Sequence, residues 1–379
     1  MRIEQNRWTK DRGWEPEQPG KLGVAAQLVL LFGGRAVLKS GVPADLVRKA
    51  FPQAHLLGCS TAGEIYGTQV SDDSLVTTAV QFDHTQVRGA RIGIGEVKDS
   101  YHAGERLAQA LDQKGLVHVF VLSDGLKING SDLVRGLAAN LPAEVSITGG
   151  LSGDGADFIE TLVLWDGPAE REAVAIIGFY GDRLKVGYGS LGGWDCFGPE
   201  RLITRSEGNV LYELDGKSAL DLYRNYLGEH ANGLPATGLL FPLSLRMNQG
   251  ETGVVRTILS INDEDKSMVF AGNVPQGAYA RLMKANFDRL IDGSVGAAKT
   301  SVEALGSATP DLAILISCVG RKLVLKQRIE EEVEGVREIM GARCALAGFY
   351  SYGEISPFMR LGKCELHNQT MTITTFSES

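Results

Sequence analysis

The sequence predicts an α/β protein made of duplicated α/β subdomains, with mixed sheets and glycine-rich loops at strand ends. Three observations predict it. The pattern Gly-x4-Gly-Glu-Ile occurs twice, at residues 58–65 and 348–355. Each copy follows the same run of short apolar strand, helical stretch and second short strand. The sequence between the copies is rich in β-branched, alternating segments bounded by Gly, Asp and Asn.

Residues 1–24 are charged, carry Trp8, Trp14, Pro16 and Pro19, and read as an N-terminal extension. Residues 27–34 form an apolar strand pattern ending in glycines, and 43–50 a helical one. The second strand runs into Gly58-Cys59-Ser60-Thr61-Ala62-Gly63-Glu64. Strands are expected at 75–82 and 87–94. A looser third copy begins with a strand at 118–122 and the turn Ser123-Asp124-Gly125. A helix at 131–141 has Ser131 or Asp132 near its N-cap, and 145–148 then leads into Gly149-Gly150-Leu151-Ser152-Gly153-Asp154-Gly155. Further strands are expected at 161–165, 173–180 and 183–189. Residues 187–192 match Gly-x-Gly-x-x-Gly, but the following 193–199 cannot open a helix, so a loop or bulge is expected rather than a dinucleotide site.

Helices are expected at 218–227 and 278–291. The second α/β unit repeats the pattern with a strand at 312–320 and a helix at 330–340. Gly233, Pro235 and Gly238 punctuate the middle of the chain. A domain switch is expected within residues 215–235, giving an N-terminal domain over 25–220 and a C-terminal domain over 221–379.

The chain has 379 residues, 38 Lys and Arg against 46 Asp and Glu, and 44 % apolar residues, enough for sizeable cores. A net charge of −8 without a basic run argues against nucleic acid and membrane surfaces as partners. The first twenty residues lack a signal-peptide core, and no apolar run approaches membrane length. Five scattered cysteines without a CxxC pair suggest reduced thiols and a cytoplasmic location.

Chemistry is expected where polar residues flank the glycines. Asp124, Asn129, Asp154, Arg321, Glu64 and Glu354 fall at or near ends of apolar strands, where α/β folds form pockets. An Arg321 guanidinium suits a ligand carboxylate. Turn-capping is the alternative for the Asp and Asn residues. Cys59 and Ser60 lie in a near-miss of a nucleophile elbow, with Ala62 in place of its second glycine. A nucleophile is one reading and a buried thiol the other.

At these motifs the chain resembles the FIST family of bacterial sensory proteins. Residues 57–65, Ser123-Asp124-Gly125 with Asn129-Gly130, and 149–154 carry the match to its N-terminal region. Ser317-Cys318-Val319-Gly320-Arg321 and 348–355, with Tyr352 and Glu354, carry it in the C-terminal one. The resemblance implies a small-ligand sensor, with amino acids as the proposed class. Gly58, Cys59, Ser60, Thr61, Asp124, Asn129, Gly149, Gly150, Asp154, Arg321, Tyr352 and Glu354 are then its candidate ligand-binding residues. It also implies a separate signalling partner, such as a histidine kinase or a cyclic-dinucleotide enzyme; a homodimer stays open. Some stand-alone members bind haem and sense nitric oxide. For that branch we name His367 as the candidate axial ligand, with His55 and His118 next.

Overall fold

Leu28–Gly33 and His55–Ser60 run parallel, with Leu31 opposite Gly58. Both are almost wholly buried, which is why they read as continuous apolar runs rather than alternating ones. Leu75–Gln81 flanks the first of them antiparallel, with Leu31 opposite Thr77. The same three-strand arrangement recurs twice. Leu116–Ser123 pairs parallel with Ser146–Leu151 and antiparallel with Ala173–Tyr180. Leu312–Cys318 does so with Ala345–Ser351 and Met371–Glu378. The chain thus contains three α/β units, and the copies expected at 27–66 and 312–356 have the same strand order. The structure, a computed structural model, describes residues 1–248, 253–357 and 362–379.

The units interlock by passing strands around a ring. After its glycine loop, each unit sends the chain into a neighbour's sheet. Glu64–Tyr66 joins Ala345–Ser351, Val163–Trp165 joins His55–Ser60, and Gly353–Pro357 joins Ser146–Leu151, all antiparallel. Gly58, Gly149 and Gly348 hold the same place in the three units. A Cβ at each would collide with the carbonyl oxygen of its parallel partner, Leu31, Val121 or Leu315. These glycines are required by strand packing.

Helices cover the sheets. Val42–Ala50, Gly130–Asn140 and Ile329–Met340 connect the parallel strands. Gly104 and Gly136 let Ser100–Ala110 approach Gly130–Asn140 closely. Gly187 and Gly189, from the Gly-x-Gly-x-x-Gly match, lie on the strand Leu184–Leu191 and press against the helix Phe287–Ala304. The motif is thus strand packing against a helix, in place of the loop or bulge expected there.

A fourth sheet, of eight strands, is built from 195–284 and packs around its own core with the helix Ala219–Leu227. The domain boundary expected near residue 220 falls within this lobe. The helix expected at 278–291 is corrected. Tyr279–Lys284 is a strand with near-alternating burial, and the helix begins at Phe287 after Asn286 caps it by accepting the Arg289 N–H. The window straddled a period-2 element and the first turn of a helix. The N-terminal residues also gain structure: Arg2–Thr9 extends the first sheet beside Leu75–Gln81, with Gly13–Glu15 outside it. No helix among the described residues is long and apolar enough to cross a membrane.

Candidate functional site

The glycine loops of the three units meet. Ala62 N donates to Tyr350 O at 2.8 Å, Gly153 N to Ser60 O at 2.9 Å and Tyr352 N to Leu151 O at 3.3 Å. The three bonds link equivalent positions, so each loop rests on the strand end of the next unit. The three glycine loops therefore converge on one junction.

One side of this junction opens into a cavity of about 390 Å³. The first unit contributes Gly34–Ala36 at a strand end, the loop Thr61–Glu64, and Asp72 and Asp73. The second contributes Asp154–Asp157, and the third presents Lys322 from the short helix Val319–Leu325.

Charge dominates the lining. The Asp154 carboxylate is buried and accepts N–H bonds from Phe158, Ile159 and Glu160 at 2.8–2.9 Å. It also accepts the Tyr352 hydroxyl and Arg35 Nη1, the latter at 2.6 Å. Arg35 Nη2 pairs with Asp157 at 3.0 Å. Lys322 Nζ donates to Ala62 O at 2.8 Å, pairs with Asp72, and lies 5.6 Å from the centre of the Tyr350 ring. Glu64 is fully buried and accepts bonds from the Thr61 hydroxyl and from the Ser74 N–H and hydroxyl. Burial, aided by nearby Asp72, raises its pKa to about 7 against those hydrogen bonds.

Of the residues expected at a site, Thr61 and Asp154 border the cavity, as does Glu64. Tyr352 holds Asp154 and stacks on Phe158 at 4.4 Å. Gly150 is closed in by Ile316 and Phe349. Cys59 is fully buried on its strand, and burial pushes its thiol well above the ordinary value. Ser60 is buried too, and its Oγ accepts the Leu162 N–H. Asp124 caps its own turn through the N–H groups of Leu126 and Lys127 and accepts the Thr161 hydroxyl. Asn129 caps the helix Gly130–Asn140 and donates to Asn273. For these two the turn-capping alternative describes the contacts.

Arg321 departs most from expectation. Its side chain is fully buried, paired with Glu332 at 2.7 Å and bonded to the carbonyls of Gly192 and Leu290. Every guanidinium nitrogen is engaged internally, so it is not open to a ligand carboxylate. Glu354 sits outside the cavity, in a buried nest of Ser351 and Thr370.

The residues around the expected haem ligand do not fit a haem. His367 is buried in the strand Cys364–His367, its Nε2 is 2.8 Å from Ser356 O, and burial lowers its pKa to about 4. It does not border the loop cavity. His118 is buried between Ser146 and Thr148 hydroxyls, and His55 pairs with Asp166 and stacks on Trp165. Sequence reasoning missed Arg35, Asp72, Asp73 and Lys322. The first follows directly on the Gly33-Gly34 strand end, which was a readable signal.

The FIST N domain model matches residues 27–217 and the FIST C domain model residues 219–357. An uncharacterized protein of Methanocaldococcus jannaschii is 24 % identical over 322 residues, 76 % of this chain. The match spans 59 % of that relative's own length. A crystal structure of a cyanuric acid hydrolase from A. caulinodans aligns over 99 % of this chain and 98 % of that one, at 9 % identity and a TM-score of 0.34.

Proposed function

Since the chain belongs to the FIST family, whose domains are associated with sensory signalling, we propose that it senses a small molecule bound in the loop cavity and signals to a separate partner protein. The observation that carries this reading is the cavity itself. It lies where all three units meet, so an occupant touches every unit and biases their mutual packing. Its volume suits a ligand of amino-acid size. Its lining is charged, with Arg35 and Lys322 already paired to carboxylates, and this suits a ligand that carries an ammonium group. The partner in this reading is a histidine kinase or a cyclic-dinucleotide enzyme. Five free cysteines favour a reducing compartment, the cytoplasm.

The test is a thermal-shift screen of amino acids and related metabolites. A ligand should raise the melting temperature saturably, because binding to the native state alone stabilises by mass action. Ala36→Trp, which fills the cavity from an exposed position, should abolish that rise while leaving the unliganded melting temperature in place. A rise of equal size in the Ala36→Trp protein would place the ligand elsewhere.

A further inference from the structure

We infer that the loop cavity selects an organic cation, an amine of net positive charge such as a basic amino acid or a diamine, over neutral and anionic molecules. This rests on the reading of the cavity as the ligand site and specifies its ligand class. Five carboxyl side chains border the cavity against two cations. The cations are already neutralised: Arg35 lies between Asp154 and Asp157, and Lys322 pairs with Asp72. What remains is Asp73 at the exposed mouth, which has no ion pair among the described residues. An incoming anion would have to displace a carboxylate from Arg35 or Lys322. An incoming ammonium meets Asp73 without breaking any pair.

The third unit supplies an internal control. Gly34 N donates to Ser74 O at 3.0 Å, and Cys318 N to Thr370 O at 3.1 Å, so the residues just before Ser74 and Thr370 correspond. Asp72 and Asp73 therefore match Asn368 and Gln369. There the position is covered by the chain's own eight-stranded lobe and its approach. Asn368 Oδ1 accepts the Thr257 N–H at 3.4 Å, Gln369 Nε2 donates to Leu239 O at 3.0 Å, and Trp194 Nε1 donates to Gln369 O at 2.8 Å. Where the occupant is neutral peptide, the chain has amides. Where the position is open, it has two carboxylates. A metal ion is the poorer match for that charge. Among the described residues no group of three or more His, Cys, Asp or Glu side chains is arranged to hold one.

Titration calorimetry of the full chain with L-arginine, putrescine, L-leucine and L-glutamate tests the inference. At least one of the two amines should bind, about tenfold or more tighter than leucine or glutamate. Asp73→Asn, which removes no internal contact, should weaken that binding about tenfold, and added salt should weaken it further. Tighter binding of glutamate or leucine, lost in Ala36→Trp, overturns the cation preference while leaving the sensor reading in place. Amine binding unchanged in Asp73→Asn, or no heat from either amine, also overturns it. Failure of every compound in the thermal-shift screen removes the sensor reading itself.

Discussion

Glu64 and Glu354 occupy the same hydrogen-bonded nest in two different units. Glu64 accepts the hydroxyl of Thr61 and Glu354 that of Ser351, each three residues upstream. Each also accepts the N–H and hydroxyl of the residue that opens the third strand. These are Ser74 at 2.9 and 2.7 Å and Thr370 at 3.2 and 3.0 Å. The Gly-x4-Gly-Glu-Ile repeat is thus the sequence trace of a buried acid that ties a glycine loop to a strand start.

The nests predict the pH dependence of stability. Burial raises Glu64 to about 7 and Glu354 to about 8, from an ordinary value of 4.5. A raised acid stabilises the fold fully below its unfolded pKa, and that stabilisation is lost as pH rises through the folded one. Melting temperature should therefore fall between about pH 5 and pH 8, at up to about 1.4 kcal/mol per pH unit for each group. Glu64→Gln and Glu354→Gln should flatten the slope. The amide nitrogen can donate to the Thr61 or Ser351 hydroxyl while its oxygen keeps the Ser74 or Thr370 bonds. Denaturation curves across that range check it, and an unchanged slope in the double variant would contradict it.

Gly348→Ala should be costly. The added methyl would strike backbone, the Leu315 carbonyl of the adjacent parallel strand, which cannot swing away as a side chain can. A loss of about 2–4 kcal/mol is expected, measured by urea unfolding. Gly95→Ala, where a Cβ meets nothing within 4 Å, is the matched control. It should stay within about 0.5 kcal/mol of the parent.

Arg321→Met should destabilise by about 3–5 kcal/mol, because it strands the Glu332 carboxylate in the core. Glu332 would keep the Tyr350 hydroxyl at 2.7 Å and the Ser317 hydroxyl at 3.1 Å, but no cation. Adding Glu332→Gln should recover a large part of the loss, since the remaining partners are neutral. A double variant no more stable than the single one would show that the pair's charge is not what matters.

The parallel strand pairs and the glycine loops were legible because their signals are local: continuous apolar runs, then glycines. Three other features were not. The exchange of strands around the ring depends on pairings between distant segments, such as Glu64–Tyr66 with Ala345–Ser351. Which cation of Arg321-Lys322 enters the cavity depends on rotation about a helix, where neighbours point about 100° apart. Arg321 turns into the core and Lys322 faces the cavity. Asp72 and Asp73 read as turn residues, since nothing local distinguishes a solvated aspartate from one at the mouth of a cavity.

The last prediction concerns the loop that walls the cavity on the second unit. Residues 155–160 are held to the body through the Asp154 carboxylate, which bonds three of their N–H groups, and through the Phe158–Tyr352 stack. Tyr352→Phe keeps the stack and removes the hydroxyl, so Asp154 retains Arg35 and the loop N–H groups. A loss of about 1 kcal/mol or slightly more is expected. Asp154→Asn removes the charge that pairs with Arg35 and one acceptor oxygen. It should release the loop, speeding amide exchange across 155–160 and weakening any cavity ligand. Faster exchange spread over the whole chain instead would mean that Asp154 supports the fold generally. Faster exchange confined to the loop would make this carboxylate the clasp that sets the shape of the cavity.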